Sequence, residues 1–182
     1  MGAEFPIEID IADMKCFHLY SPHMKQRVGI GQDSHRFLTE YTKKQCIVGG
    51  LLFEGVPGFD ADSDGDVVFH AICNAISSVT HVPILGGIAV ELCQNQGITD
   101  SRIFLERALA TLNDLQIDHI ALSLEGKRPR FQEHSERLRQ SVAQAVGIEK
   151  EAVGITFTSG DELTSFGLGK GVMCICCLTL SS

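Results

Sequence analysis

Residues Val28 to Phe37 read VGIGQDSHRF. Val28 and Ile30 alternate with glycines, and the polarity then changes at Asp33 and His35. Alternation at a period of two is a strand signature. Residues i and i+2 of a strand project from one face. If the strand read over residues 27–32 persists, Asp33 and His35 leave it side by side. A carboxylate and an imidazole so placed suit a divalent transition metal such as zinc, and a third ligand would leave a fourth position open for substrate. His70, carried mid-helix on a rigid support, is the candidate third ligand. The same residues also allow a plain hydrogen bond between Asp33 and His35, with His70 a core histidine.

Outward from this strand, the apolar run Cys46 to Phe53 reads as a second short strand bent at Gly49 and Gly50. EGVPGFDADSDGD is a loop by its Gly, Pro and Asp content. It feeds a helix from Asp64 to His81, with Ser63 as N-cap, Asp66 at the third position after it, and Pro83 past its end. VPILGGIAVELCQNQGI reads as loop with a short helical piece. Asp100 caps a second helix, SRIFLERALATLNDL, striped by Ile103, Leu105, Ala108, Leu109 and Leu112. Ile117 to Leu124 alternates as a strand. FQEHSERLRQSVAQAV is a third helix, stopped by Gly147. Val153 to Phe157 and Gly171 to Leu180 are strands. The order β, β, α, α, β, α, β, β has no repeat and no low-complexity linker. It predicts a single-domain α+β or mixed α/β fold in two layers, with helices over one face of a sheet. The domain covers residues 27–182, after an extension at 1–26.

The length of 182 residues suits one domain of about 100–200 residues. An apolar fraction of 44% is enough for a globular core. No window approaches the roughly 20 uninterrupted apolar residues of a membrane span. The first stretch, MGAEFPIEIDIADMKCFHLY, has early acids and little base, unlike a secretory signal or a transit peptide, so a cytoplasmic protein is expected. Its opening MG lacks the hydroxyl residue of a myristoylation signal, because Pro6 stands there. A net charge of −8 argues against broad nucleic-acid binding. GKRPRF, Gly126 to Phe131, is a short basic stretch against that acidic average. The seven cysteines lack the spacing of a disulfide framework. Cys174, Cys176 and Cys177 lie in the apolar GVMCICCLTL and read as strand packing rather than a zinc site, which needs a wider loop.

Two polar stretches remain. DADSDGD matches the start of a calcium loop at Asp60, Asp62, Asp64 and Gly65, but Ala71 stands where the bidentate Glu belongs. Its acids also complement the dipole of the helix that follows. TSGDELTSFGLGKG, Thr158 to Gly171, sets hydroxyls, acids and glycines at a strand end, a composition that can cradle phosphates and that ordinary loops share.

The order of these motifs is more specific than any one of them. IGQDSHRF, SDGDVVFHAICNAI, EGKRPRF and TFTSGDELTSFGLGKG together resemble the 2-C-methyl-D-erythritol 2,4-cyclodiphosphate synthases, over about Arg27 to Leu180. The resemblance implies a homotrimer of mixed α/β subunits, with sheets packed around a central axis and active sites between neighbours. It implies a phosphorus–oxygen lyase of non-mevalonate isoprenoid synthesis. Such an enzyme cyclises 4-diphosphocytidyl-2-C-methyl-D-erythritol 2-phosphate and releases CMP. Asp33, His35 and His70 would then be zinc ligands, with a diphosphate oxygen of the substrate in the fourth position. A magnesium or manganese ion would bridge the diphosphate, held by Glu162 or else Asp161. The family's cytidine pocket falls at Pro129 and Arg130, beside Lys127 and Arg128. Further substrate contacts fall at Asp33, Ser34, His35, Asp62 and Ser63, and at Thr158, Ser159, Glu162 and Phe166. Ser159 and Asp62 occupy the positions with catalytic roles. Neither nucleic acid nor membrane is an expected partner.

The chain also departs from the family's pattern. Asp62 stands where a His usually orients the substrate. TSGDEL is one residue longer than the usual T-T-E-K, so Ser159 replaces a threonine linked to transition-state stabilisation. In GGIAVELCQNQ, Gly87 replaces an acid that touches the erythritol, and Gln94 to Gln96 replace an acidic turn. Leu168 replaces an Arg near the trimer axis. These changes suit a divergent branch. They leave two alternatives on the same scaffold, a zinc-dependent phosphohydrolase and a non-catalytic nucleotide-binding trimer.

Overall fold

The alternation in VGIGQDSHRF runs past Gln32. Strand β1 spans Arg27–Arg36 and turns Gly29, Gly31, Asp33 and His35 toward one face, Val28 and Ile30 toward the other. The computed structural model describes residues 25–39 and 43–182, so nearly all of the extension expected at 1–26 lies outside the described residues. Against the glycine face lies α1 (Val67–Thr80). A Cβ at Gly31 would sit 2.2 Å from the Ala71 carbonyl oxygen and 2.3 Å from the Ala75 nitrogen. One at Gly29 would meet the Ala75 carbonyl oxygen at 2.4 Å. Nothing larger than hydrogen fits, so strand and helix pack backbone to backbone.

Helix α1 is apolar nearly all round, as a helix caught between layers must be. Val67, Val68, Phe69, Ile72, Ile76 and Val79 are all buried. Its N-cap is Asp66 rather than the expected Ser63. The helix starts later because Asp64 and Gly65 are used in a turn: the Asp66 N–H donates to Asp64 Oδ1 at 3.0 Å, and Gly65 has φ +77. The Asp66 carboxylate accepts from the N–H groups of Val68 and Phe69, and from those of Gly49 and Gly50 at 2.8 and 2.6 Å. It thus ties the helix to the turn of a hairpin, β2 (Cys46–Val48) and β3 (Leu51–Phe53), where one bent strand was expected.

The main sheet has the order β1-β6-β4-β5. Its other strands are β4 (Gln116–Glu125), β5 (Val153–Thr158) and β6 (Gly171–Ser181). The β1–β6 and β4–β6 pairs are antiparallel, and β4–β5 is parallel. Parallel neighbours need a crossover, which α4 (Ser135–Val146) provides before Gly147 ends it in a left-handed conformation. Helix α3 (Ser101–Leu109) begins at Asp100 as expected, but ends short of the anticipated Leu115. The chain turns there through Asn113, at φ 52. GIAVELCQNQ, expected to be mostly loop, is a full helix, α2 (Gly87–Gln96), closed by Gly97 at φ 67. Helix α1 lies across β1 and β6, α3 packs on α1, and α4 covers β5. The result is the expected two-layer mixed fold.

The covered face is built from alternate residues, among them Ile120, Leu122 and Leu124 of β4 with Cys174, Cys176 and Leu178 of β6, all buried. Cys174 and Cys176 are therefore packing residues, and burial pushes the Cys176 thiol up to about 12. On the opposite face Val28 and Ile30 are 65% and 66% exposed, beside Ile175 and Cys177 of β6. Among the described residues no helix is long and apolar enough to cross a membrane.

Candidate metal centre

The close approach of β1 and α1 carries His70 to the end of the glycine face. There Asp33 Oδ2 lies 3.1 Å from His35 Nε2 and 3.2 Å from His70 Nδ1, and the two nitrogens are 3.2 Å apart. Donors held about 2.0–2.2 Å from one ion take nearly this separation from each other. Two imidazole nitrogens and a carboxylate oxygen are also the donor chemistry that zinc favours. Asp33 and His35 are half-buried and His70 is buried, so the cluster is open on one side. Among the described residues it is the group of three donors that could hold a metal ion. Burial pushes the Asp33 carboxyl up, but the His35 and His70 rings within hydrogen-bond distance of it, and then their charge, outweigh burial and hold the carboxyl at about 2.

Packing fixes both rings. The His35 ring lies 6.1 Å from Phe59, which stacks on Phe37, and the His70 ring lies 6.2 Å from Phe104. His70 Nε2 points away from the cluster, 2.8 Å from Ser101 Oγ and 3.4 Å from Ser63 Oγ. Ser101 Oγ in turn bonds to Asp64 Oδ1.

The cluster opens into a cleft of about 260 Å³ that Asp62 and Ser63 also line, with Ala89, Val90 and Cys93 of α2 and Phe104 of α3. A second cleft, of about 370 Å³, gathers Lys127, Pro129, Arg130, Thr158 and Ser159. The Arg128–Pro129 peptide beside it is cis. A third, of about 900 Å³, holds Ser34, Arg128 and Phe166, with the Arg128 guanidinium 5.1 Å from the centre of the Phe37 ring. The first two clefts share no lining residue. Glu162 is not drawn to the three donors. Lys127 Nζ donates to it at 2.6 Å and holds its carboxyl below the usual range. Asp161 accepts from Ser159 Oγ at 3.0 Å, and both acids have positive φ, 45 and 61.

Sequence reasoning missed Ser101 and the role of Asp64, and it did not foresee that the segment at Gly87–Gln96 walls the cleft as a helix. Asp64 was legible only as one of a run of loop acids. Ser101, next to the cap Asp100, reads as an ordinary first-turn residue. Its partner His70 lies 31 positions away, and no local pattern joins the two.

The model of the YgbB family matches residues 26–181. A 2-C-methyl-D-erythritol 2,4-cyclodiphosphate synthase of Chlamydia felis is 55% identical over 163 residues, 89% of this chain and 93% of that relative. A protein of the same name from Chlamydia trachomatis serovar D is 52% identical over 165 residues, 90% and 93% of the two chains. A solved 2C-methyl-D-erythritol-2,4-cyclodiphosphate synthase superposes with a TM-score of 0.71 at 26% identity, covering 85% of this chain and 99% of its own. The bifunctional IspDF of Campylobacter jejuni gives a TM-score of 0.77 at 18% identity, over 88% of this chain and 43% of its own, a likeness of fold alone. A match over nearly all of the described residues, at such identity to these relatives, means that the chain belongs to the YgbB family, that of the 2-C-methyl-D-erythritol 2,4-cyclodiphosphate synthases.

Proposed function

We propose that this protein converts 4-diphosphocytidyl-2-C-methyl-D-erythritol 2-phosphate into the 2,4-cyclodiphosphate and CMP. Residues 27–182 are the catalytic unit, preceded by the extension at 1–26. The observation that carries the reading is the open set of three donors, Asp33, His35 and His70, in a member of this family. A fully enclosed structural zinc site has four protein ligands; three donors and an open side suit catalysis. Zinc bound there supplies a Lewis acid and a template for the diphosphate.

The reaction is an attack by the 2-phosphate on the outer phosphorus of the diphosphate in the same molecule. The P–O bond to CMP breaks as the ring P–O bond forms. Such a step needs alignment and charge neutralisation above all. Lys127, Arg128 and Arg130 offer cations to the phosphates. Thr158 and Ser159 offer hydroxyls at the same end of the sheet, and Asp62 and Ser63 line the donor cleft. Glu162, released from Lys127, or else Asp161 would hold the magnesium or manganese ion. A substrate with both a cytidine and a metal-bound diphosphate would use both the Lys127 cleft and the donor cleft, which share no lining residue within one chain. A homotrimer whose active sites lie between neighbours would bring two such clefts together, and the uncovered apolar residues Val28, Ile30 and Ile175 suit sheets packed around its axis. Unpaired thiols at Cys46, Cys73, Cys93, Cys174, Cys176 and Cys177 suit the reducing cytoplasm.

Purified protein, incubated with the substrate and magnesium and followed by phosphorus NMR, should form a cyclic diphosphate with one CMP per turnover. A zinc chelator should stop it. His70→Ala should remain a folded oligomer, lose zinc and make no product. Inorganic phosphate in place of the cyclic product would instead establish the phosphohydrolase. Nucleotide binding without turnover by zinc-loaded protein would establish the binding trimer.

A further inference from the structure

The proposed zinc site uses one nitrogen of His70 and leaves the other to the protein. Nδ1 faces Asp33 and His35, while Nε2 lies 2.8 Å from Ser101 Oγ. Ser101 is fully buried in the first turn of α3, and its hydroxyl also bonds to Asp64 Oδ1. An ionised carboxylate only accepts, so the Ser101 hydroxyl donates its proton to Asp64. Toward His70 it then has only lone pairs, so Nε2 carries the imidazole proton and donates it. Ser63 Oγ, which accepts from the Gly65 N–H at 3.2 Å, lies on the same side of the ring. Asp64 is held in turn: Oδ2 accepts from the Ser101 N–H at 3.1 Å, Oδ1 from the Asp66 N–H at 3.0 Å, and its own N–H donates to the Thr99 carbonyl at 2.7 Å.

We infer that Ser101 and Asp64 are positioning residues of the metal centre: the chain Asp64–Ser101–His70 fixes the imidazole proton on Nε2 and presents a bare Nδ1 to the ion. The inference rests on the zinc reading of Asp33, His35 and His70. The same polar chain joins the loop before α1 to the start of α3, so the ligand is oriented by two elements besides its own helix. Groups that hydrogen-bond to a metal-bound imidazole set its tautomer and orientation.

The test uses the full-length protein, zinc affinity by chelator competition, and ¹⁵N NMR of the histidine rings. Zinc-loaded wild type should show the His70 proton on Nε2 and the metal on Nδ1. Ser101→Ala should bind zinc about 10–100-fold more weakly. Ser101→Thr, which keeps the hydroxyl, should restore affinity. Asp64→Asn can donate to Ser101 and turn the hydroxyl proton toward Nε2. It should weaken zinc binding and move metal-free His70 toward the Nδ1–H tautomer, a readout that a scaffold role alone would leave unchanged. Wild-type zinc affinity in both Ser101→Ala and Asp64→Asn, or a wild-type proton on Nδ1, would overturn the inference while leaving the zinc site standing. Wild type that binds no zinc, or His70→Ala that binds it equally well, would overturn both. If Ser101→Ala fails to fold, the wild-type tautomer decides.

Discussion

Asp33 lies between two imidazoles, and its acidity has a consequence for stability. Its carboxyl is lowered from 3.8 to about 2, so the folded chain binds that proton less tightly than the unfolded one. The stabilisation is complete above about pH 4 and is lost as pH falls through 2, an effect of about 2 kcal/mol. In chelator-treated protein, the urea midpoint should drop more steeply between those limits in wild type than in a variant with both His35→Ala and His70→Ala. Parallel curves would show that the imidazoles do not set this pKa. Asp33 and His35 were legible as a pair because a period of two is local. His70 was legible as a candidate third ligand, but only the resemblance set it apart from a core histidine, since a mid-helix histidine by itself is as readily either. Ser101 was not legible, because a buried hydroxyl takes its meaning from a partner brought up by tertiary packing.

Helix α1 and strand β1 meet through hydrogen atoms at Gly29 and Gly31. Gly31→Ala should therefore push α1 off β1, destabilise the protein by about 3 kcal/mol, and lower zinc content as His70 leaves Asp33. Denaturant unfolding and metal analysis read the two effects. An Ala variant with normal stability and normal zinc would mean that the backbones can part without cost. The four strands of the main sheet and three of the helices followed from periodicity and capping residues in the sequence, whereas Cys46 to Phe53 folds as a hairpin rather than one bent strand. The errors have separate causes. Ser63 looked like a cap because it precedes an acid at the right spacing, but Asp66 can reach four N–H groups, two of them on a hairpin that local reading cannot bring near. Helix α2 was hidden by Gly86, Gly87 and Gly97, which punctuate its ends, and by a face on which Leu92 alone is buried.

At the scale of the whole molecule, the proposed trimer assigns association to the uncovered sheet face. Ile30→Glu places a charge on that face, opposite Cys177. The variant should sediment as a monomer, keep its zinc, and lose turnover, because the donor cleft and the Lys127 cleft would no longer meet across a boundary. A fully active monomer would place the whole reaction in one chain. The sheet register carries a different lesson. In β1, Arg27 pairs with Leu180 and Asp33 with Cys174, and β6 is its one neighbour in the main sheet. During synthesis, the strand bearing two of the three donors emerges early and waits for a partner made much later. Pairing across such a separation is slow to form, and until then β1 has two open edges rather than one. The candidate metal centre therefore gains its sheet support late in folding: nascent chains stalled before β6 hold every donor while the strand that bears two of them still lacks its partner.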